Sequence, residues 1–306
     1  SPACPAVTAD ERMACVDAER YLEDVTFIAH PRVPGSPHWR AVQDLCAGRL
    51  ESLGYAVERH DYGTGTNVVG TLSGTAPDGP IVVVSGHYDH IPDCAGADDN
   101  ATGVAGLLEI ARVMALVPSP GTLKIICWDE EERGLLGSSA YAVRARERDE
   151  TIDVLIAVDM IGYADDAPNT QALPENLDVL FPAEVDELVA NEFRADFIPV
   201  AANATAREAA SLVAEYGARV GLRAVPLVLP QGLEDHPLLA DLRRSDHAPF
   251  WTAGFPALLL SDTAELRNPY YHCAQGPDDL DTLNLPFALS VVRGLVGAVS
   301  ALLAPG

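Results

Sequence analysis

Basic residues are scarce in this chain: 20 Lys and Arg stand against 45 Asp and Glu, a formal charge of −25 over 306 residues. That balance argues against nucleic acid or an anionic membrane surface as partner, since both draw on Lys and Arg. The same field attracts cations, including metal ions and substrates with a free ammonium group. Long apolar runs are also missing. No uninterrupted apolar stretch approaches the roughly 20 residues that cross a bilayer, so no membrane-spanning segment is expected. The opening "SPACPAVTADERMAC" has neither the basic region nor the apolar core of a signal peptide. It starts at Ser1 without Met and is read as a secreted or periplasmic chain whose targeting segment has been removed.

Cysteine is sparse too. Six (Cys4, Cys15, Cys46, Cys94, Cys127, Cys273) are too few for a disulfide scaffold. Cys127, inside the apolar run "LKIICW", reads as a buried thiol. Cys4 and Cys15 flank a short turn-like segment, and Cys94 and Cys273 each lie beside a histidine-rich motif. Two disulfides, Cys4–Cys15 and Cys94–Cys273, are therefore expected and agree with export. Several reaction motifs are absent as well: no GxSxG elbow, P-loop, HExxH or paired CxxC occurs. "DCAGADDN" lacks the alternating spacing of a calcium-binding EF-hand loop.

What is present is the composition of a globular protein, 48% hydrophobic and 21% charged. Thr8 to Ala29 has helix-like apolar spacing, and "HWRAVQDLCAGRLESLG" reads as a second helix closed by Gly54. Strand-like runs follow in "YAVERHDY", "TNVVGTLSG", "PIVVVSG", "GTLKIICWD", "IDVLIAVDM" and "FPALLLS". Helices are read between them in "ATGVAGLLEIARVMAL", from Leu136 to Arg146, and in "ATAREAASLVAEYGARVG". "PFALSVVRGLVGAVSALLA" closes the chain as a further helix. This alternation predicts one α/β domain over 1–306, a three-layer sandwich with helices on both faces of a mixed, mostly parallel twisted sheet. The Pro- and acid-rich stretch at about 162–190 reads as a surface excursion.

The acids and histidines gather at one end of these strands. "IVVV" runs into His87 and Asp89, "IICW" into Asp129, Glu130, Glu131 and Glu132, and "VLIAV" into Asp159. In an open α/β sheet the loops beyond the carboxyl ends converge on the ligand crevice. An acid after one strand is an ordinary turn former; three coincident strand ends are not ordinary. In His87-x-Asp89 the acid can hold the far N–H of a metal-binding imidazole. "GADDNATG" opens a helix, where one acid suffices as a cap, so the doubled Asp98 and Asp99 leave room for a carboxylate shared by two ions. Adjacent glutamates after a buried strand can divide the roles of metal ligand and general base. "NPYYHCAQGPDDLDT" puts His272 in a loop before the closing helix.

In order, the blocks "SGHYDH", "GADDNATG", "DEEERGLLGS", "VDMIGY", and "SDHAPFWTAGFPALLL" with "NPYYHCAQGPDDLDTL" resemble the two-zinc exopeptidases of the bacterial secreted leucyl aminopeptidase type. The resemblance covers about Val82 to Leu283. It implies a zinc exopeptidase fold, two zinc ions per chain, and peptide substrates with a free N-terminus. It further implies His87, Asp99 and Asp159 on one zinc, and Asp99, Glu132 and His272 on the other. Counting back from Gly134, Glu131 becomes the general base that takes the proton of the attacking water, and Glu130 a bystander. Asp89 orients His87, and Tyr271 places a phenol near the substrate carbonyl oxygen. Asp246 and His247 are supporting groups, and His90, Asp93 and Asp98 carry no assigned role. Single-zinc glutaminyl cyclases are similar to this family and would make the chain an acyltransferase instead. Dipeptidase or carboxypeptidase specificity would use the same two-zinc chemistry, and a binding ectodomain would need no metal at all.

Overall fold

A computed structural model describes residue 4 and residues 6–304. Its eight strands are β1 (Ala56–Asp61), β2 (Thr66–Leu72), β3 (Ile81–His87), β4 (Thr122–Trp128), β5 (Val154–Val158), β6 (Phe197–Ala202), β7 (Arg223–Val228) and β8 (Ala257–Leu260). They form one mixed sheet in the order β1-β2-β4-β3-β5-β8-β6-β7. The central β4, β3, β5 and β8 are parallel. β1 and β2 add an antiparallel edge, whereas β6 and β7 are parallel to each other and antiparallel to β8. The α/β sandwich is as expected. β6 and β7 are additions to the expected strands, and each holds a proline, Pro199 and Pro226, of the kind that usually marks an edge.

Helices α1 (Ala9–Ala14), α2 (Ala18–Ile28), α3 (Pro37–Ser52), α4 (Gly103–Met114), α8 (Arg207–Arg219) and α10 (Leu285–Leu302) cover one face. Helices α5 (Leu136–Glu147), α6 (Leu177–Leu180), α7 (Pro182–Ala190) and α9 (Ala248–Thr252) cover the other. Strand side chains alternate between the two cores, as the pleat requires. Val82, Val84, Ile156 and Leu258 join the first, and Val83, Leu155, Ile126 and Leu259 the second. Side chains of this type each contribute about 1.5–3 kcal/mol on full burial.

The stretch from Thr8 to Ala29 is two helices rather than one. The Asp17 carboxylate accepts the N–H groups of Glu19 and Arg20 and restarts the chain as α2. The excursion at 162–190 contains α6 and α7, whose Leu177 and Leu188 are buried in the second core. One expectation about apolar runs is also corrected. α10, 18 residues with mean hydropathy 1.8, is long and apolar enough to cross a membrane, but it lies in the first core against α1, α4 and α8.

Cys4–Cys15 and Cys94–Cys273 are bonded as expected, but Cys127 is not a free thiol. It pairs with Cys46 and ties α3 to β4. An apolar strand shows only that Cys127 is buried; the facing cysteine comes from a helix 81 residues away. Replacing Cys46 and Cys127 together by Ala is expected to lower unfolding stability by about 2–4 kcal/mol, mainly by releasing a long loop in the unfolded chain. Denaturant titration of the oxidised proteins measures this. Unchanged stability would mean that the bond contributes nothing.

Candidate metal centre

From β3 the chain crosses through α4 to β4 on one side, and then through α5 to β5 on the other. The strand order therefore reverses at β3, and the loops leaving these strands part around a crevice at their carboxyl ends. His87 is the last residue of β3, the glutamates follow β4, and Asp159 follows β5. Asp99 lies in the wide turn Ala97–Thr102 that leads into α4. The loop after β8 returns His272 to the same place.

The turn holding Asp99 is anchored from several sides. Asn100 donates to the Val158 carbonyl (2.8 Å), and its Oδ1 accepts from Met160 and Gly103. Asp278 accepts the N–H groups of Asp98 and Asp99. Arg32, fully buried, donates to the carbonyls of Tyr88, Ala95, Gly96 and Asp99 and so joins the end of β3 to the turn. Arg32 and Asp278 are absent from the expected site, and a lone arginine in "HPRVPG" carries no signal of this task. Asp98, without an assigned role in sequence, is buried beneath the site. It accepts from Gly162 and Asn268.

The two oxygens of Asp99 face different histidines. Oδ1 is 3.2 Å from His87 Nε2, which is also 3.2 Å from Asp159 Oδ1. Oδ2 is 3.2 Å from His272 Nε2, which is also 3.2 Å from Glu132 Oε2. An ion with four ligands at about 2.0 Å separates neighbouring donors by about 3.3 Å. In each group the imidazole nitrogen has that spacing to both carboxylates, and imidazole with carboxylate is a donor set that suits zinc. One N–H cannot serve two carboxylate oxygens well, whereas a cation can. Asp99, Glu131, Glu132 and Asp159 crowd one desolvated crevice and need cationic charge to be ionised together. By these tests the residues fit two metal ions.

The titration shifts reflect the same crowding. Burial would raise Asp99, but His90, His272 and His87 outweigh it and hold the carboxyl well below its ordinary range. Burial would lower His272, but Asp99 and Glu132 lift it to about 10. Burial raises Glu131 well above the usual carboxylate range; His87 opposes this, while Asp159, Asp246 and Glu132 add to it.

The other expected residues divide clearly. Asp89 is fully buried and accepts the N–H groups of Glu131 and Glu132, which joins the ends of β3 and β4. Its carboxylate is 3.6 Å from His87 Nδ1, while its own carbonyl is nearer at 3.2 Å. Glu130 turns away to Tyr62, Thr64 and Arg133. Gly134, at φ +100, closes the turn by donating to the Glu131 carbonyl, a conformation that favours glycine. Tyr271 stacks on His272, with ring centroids 3.9 Å apart. His272 itself holds a left-handed backbone (φ 52), tied in place through Cys273 to Cys94. Asp246 is buried, which raises it to about 7, and His247 contacts the Leu242 carbonyl at 2.7 Å and stays structural.

Beside the donors opens a cleft. Glu131, Asp159, Tyr271 and His272 line it together with the apolar Leu177, Leu188, Phe197, Val225, Leu227 and Leu259 and with the charged Glu184, Asp241 and Arg244. The excursion at 162–190 and the two additional strands thus build the wall of the site.

Similar frames occur in solved structures. The LapA aminopeptidase of Legionella pneumophila superposes with a TM-score of 0.73 at 17% identity, covering 97% of this chain and 75% of that one. A glutaminyl cyclase of Porphyromonas gingivalis superposes at 0.64 with 18% identity, covering 94% and 99%. In sequence, the uncharacterized protein YfbL of Escherichia coli is 32% identical over 236 residues, 72% of this chain and 66% of its own length. The chain thus spans just under two thirds of that relative. The model of peptidase family M28 matches residues 67–296, most of the sequence including all five expected donors, and the chain belongs to that family.

Proposed function

We propose that the chain is a two-zinc aminopeptidase that removes the N-terminal residue from peptides. The observation that carries this reading is the division of Asp99, with one oxygen toward His87 and Asp159 and the other toward His272 and Glu132. These five residues would hold the ions, which when bound acidify water and polarise a carbonyl. Glu131 takes the proton of the attacking water and returns it to the leaving amine. The Tyr271 hydroxyl donates a hydrogen bond to the oxygen on which negative charge develops. A free α-ammonium group is favoured by the acids Glu131 and Asp159 in the cleft. The side chain of the departing residue enters the apolar part.

That apolar lining makes the specificity predictable. Leu and Phe anilides are expected to exceed Gly and Asp anilides in kcat/KM by about 10- to 150-fold, the equivalent of burying one large apolar side chain. A zinc chelator should abolish the cleavage, and added zinc should restore it. Activity that survives the chelator, or an equal rate on all four substrates, would count against this reading. The fold shared with a glutaminyl cyclase supports a second reading, single-zinc cyclisation of N-terminal glutamine. One zinc per chain, with ammonia released from a glutaminyl peptide, would favour it.

A further inference from the structure

We propose that His90 is a positioning residue for the second metal ion, holding one oxygen of Glu132 by a hydrogen bond so that only the other is offered to the ion. This rests on the reading of Glu132 as a ligand. His90 Nδ1 is 2.8 Å from Glu132 Oε1, while the oxygen that faces His272 is Oε2. A carboxylate only accepts, so Nδ1 carries the proton. The distance is that of a charge-assisted bond. From the same nitrogen Asp99 is 3.9 Å away, beyond bonding, and the buried Nε2 has no partner among the described residues. The ring's one hydrogen bond is therefore to Glu132.

His90 does lie with Asp99 and Glu132 in a group whose donor atoms are within 4.8 Å of one another, but its unequal distances set it apart from His272. His272 stands 3.2 Å from both carboxylates of its group, an edge length that suits a shared ion. His90 is at hydrogen-bond distance from one carboxylate and out of reach of the other. The ring is also seated by shape. It is 1% exposed, it lies edge-on to His272 at 5.9 Å, and a Cβ on Gly96 would come within 2.5 Å of its Cδ2. Hydrogen bonds to a ligating carboxylate fix its direction, and their loss typically weakens a metal site about 10- to 100-fold.

The test uses the whole chain, freed of metal and titrated with zinc by calorimetry, and with cobalt followed by its visible absorption. His90→Leu should leave one equivalent at wild-type affinity, weaken the other by about 10- to 100-fold, and alter the cobalt spectrum of that site alone. His90→Asn, whose amide nitrogen falls near the place of Nδ1, should restore the weaker site to within a few-fold. His90→Gln, whose nitrogen falls nearer Nε2, should not. If His90→Leu does not fold, the Asn and Gln variants decide between them. Two equivalents of wild-type affinity in His90→Leu, equal weakening of both, or no difference between Asn and Gln would overturn the proposal. Should the parent reading fail instead, wild-type protein will bind fewer than two ions or Glu132→Ala will keep both.

Discussion

Replacement of Glu131 by Gln is expected to lower kcat by about 10²- to 10⁴-fold, the usual contribution of a positioned acid–base group, while zinc content stays at the wild-type level. The substitution keeps size and hydrogen-bonding capacity but removes the site that accepts a proton. Glu131 lies outside both 3.2 Å donor groups, so the donors remain complete. Its N–H still reaches Asp89, since that bond belongs to the backbone. Burial and neighbouring acids already resist charge on this carboxyl, so a neutral amide costs the fold little. Metal analysis and steady-state rates on one leucyl substrate provide the check. Near-normal turnover would remove Glu131 from the role of base, and loss of zinc would make it a ligand.

Asp99→Ala should have a larger and different effect: activity below detection and loss of zinc from both groups. Each group keeps one imidazole and one other carboxylate, below the three protein ligands that zinc sites ordinarily use. The metal-free chain should also lose stability at neutral pH, because a carboxyl that His90, His272 and His87 hold well below its ordinary range is on balance favourably placed in the fold, although its neighbour Glu132 loses a repulsive partner. The melting temperature of chelated protein at neutral pH should thus fall below that of wild type, and the increase on adding zinc should disappear. A variant that retains two equivalents of zinc would end the bridging assignment.

Much of this site was legible because a parallel sheet concentrates chemistry at the carboxyl ends of its strands. His87, Asp159 and the glutamate run as a whole could be marked where apolar runs stop, while the choice of Glu132 within that run rests on the family resemblance. The pair Asp98 and Asp99 was legible as one acid too many for a helix cap, with Asp99 singled out only by the family resemblance. His272 had no such marker, for its loop is irregular and is held by Cys273 and Asn268 from outside any regular element. Supporting residues were harder still. Arg32 acts by filling carbonyls that only the folded chain brings together, and His90 is separated from Glu132 by 42 positions. Similar distance hid Cys46 from Cys127. β6 and β7 escaped because Pro199 and Pro226 break the usual strand signal, although both sit in a pairing that tolerates them. The apolar cleft escaped with them, since Phe197, Val225 and Leu227 belong to those strands.

On the proposed two-ion reading, the divided carboxylate of Asp99 would also link the two halves of the centre thermodynamically. If two ions bind as proposed, one on the His87 side would fix the rotation of that carboxylate, and one arriving on the His272 side would meet an oxygen already turned toward it. By linkage the effect is reciprocal: whatever the first ion contributes to the second, the second contributes to the first. Ordering thus favours joint occupancy, repulsion between the ions opposes it, and the difference between the two stepwise affinities measures which prevails.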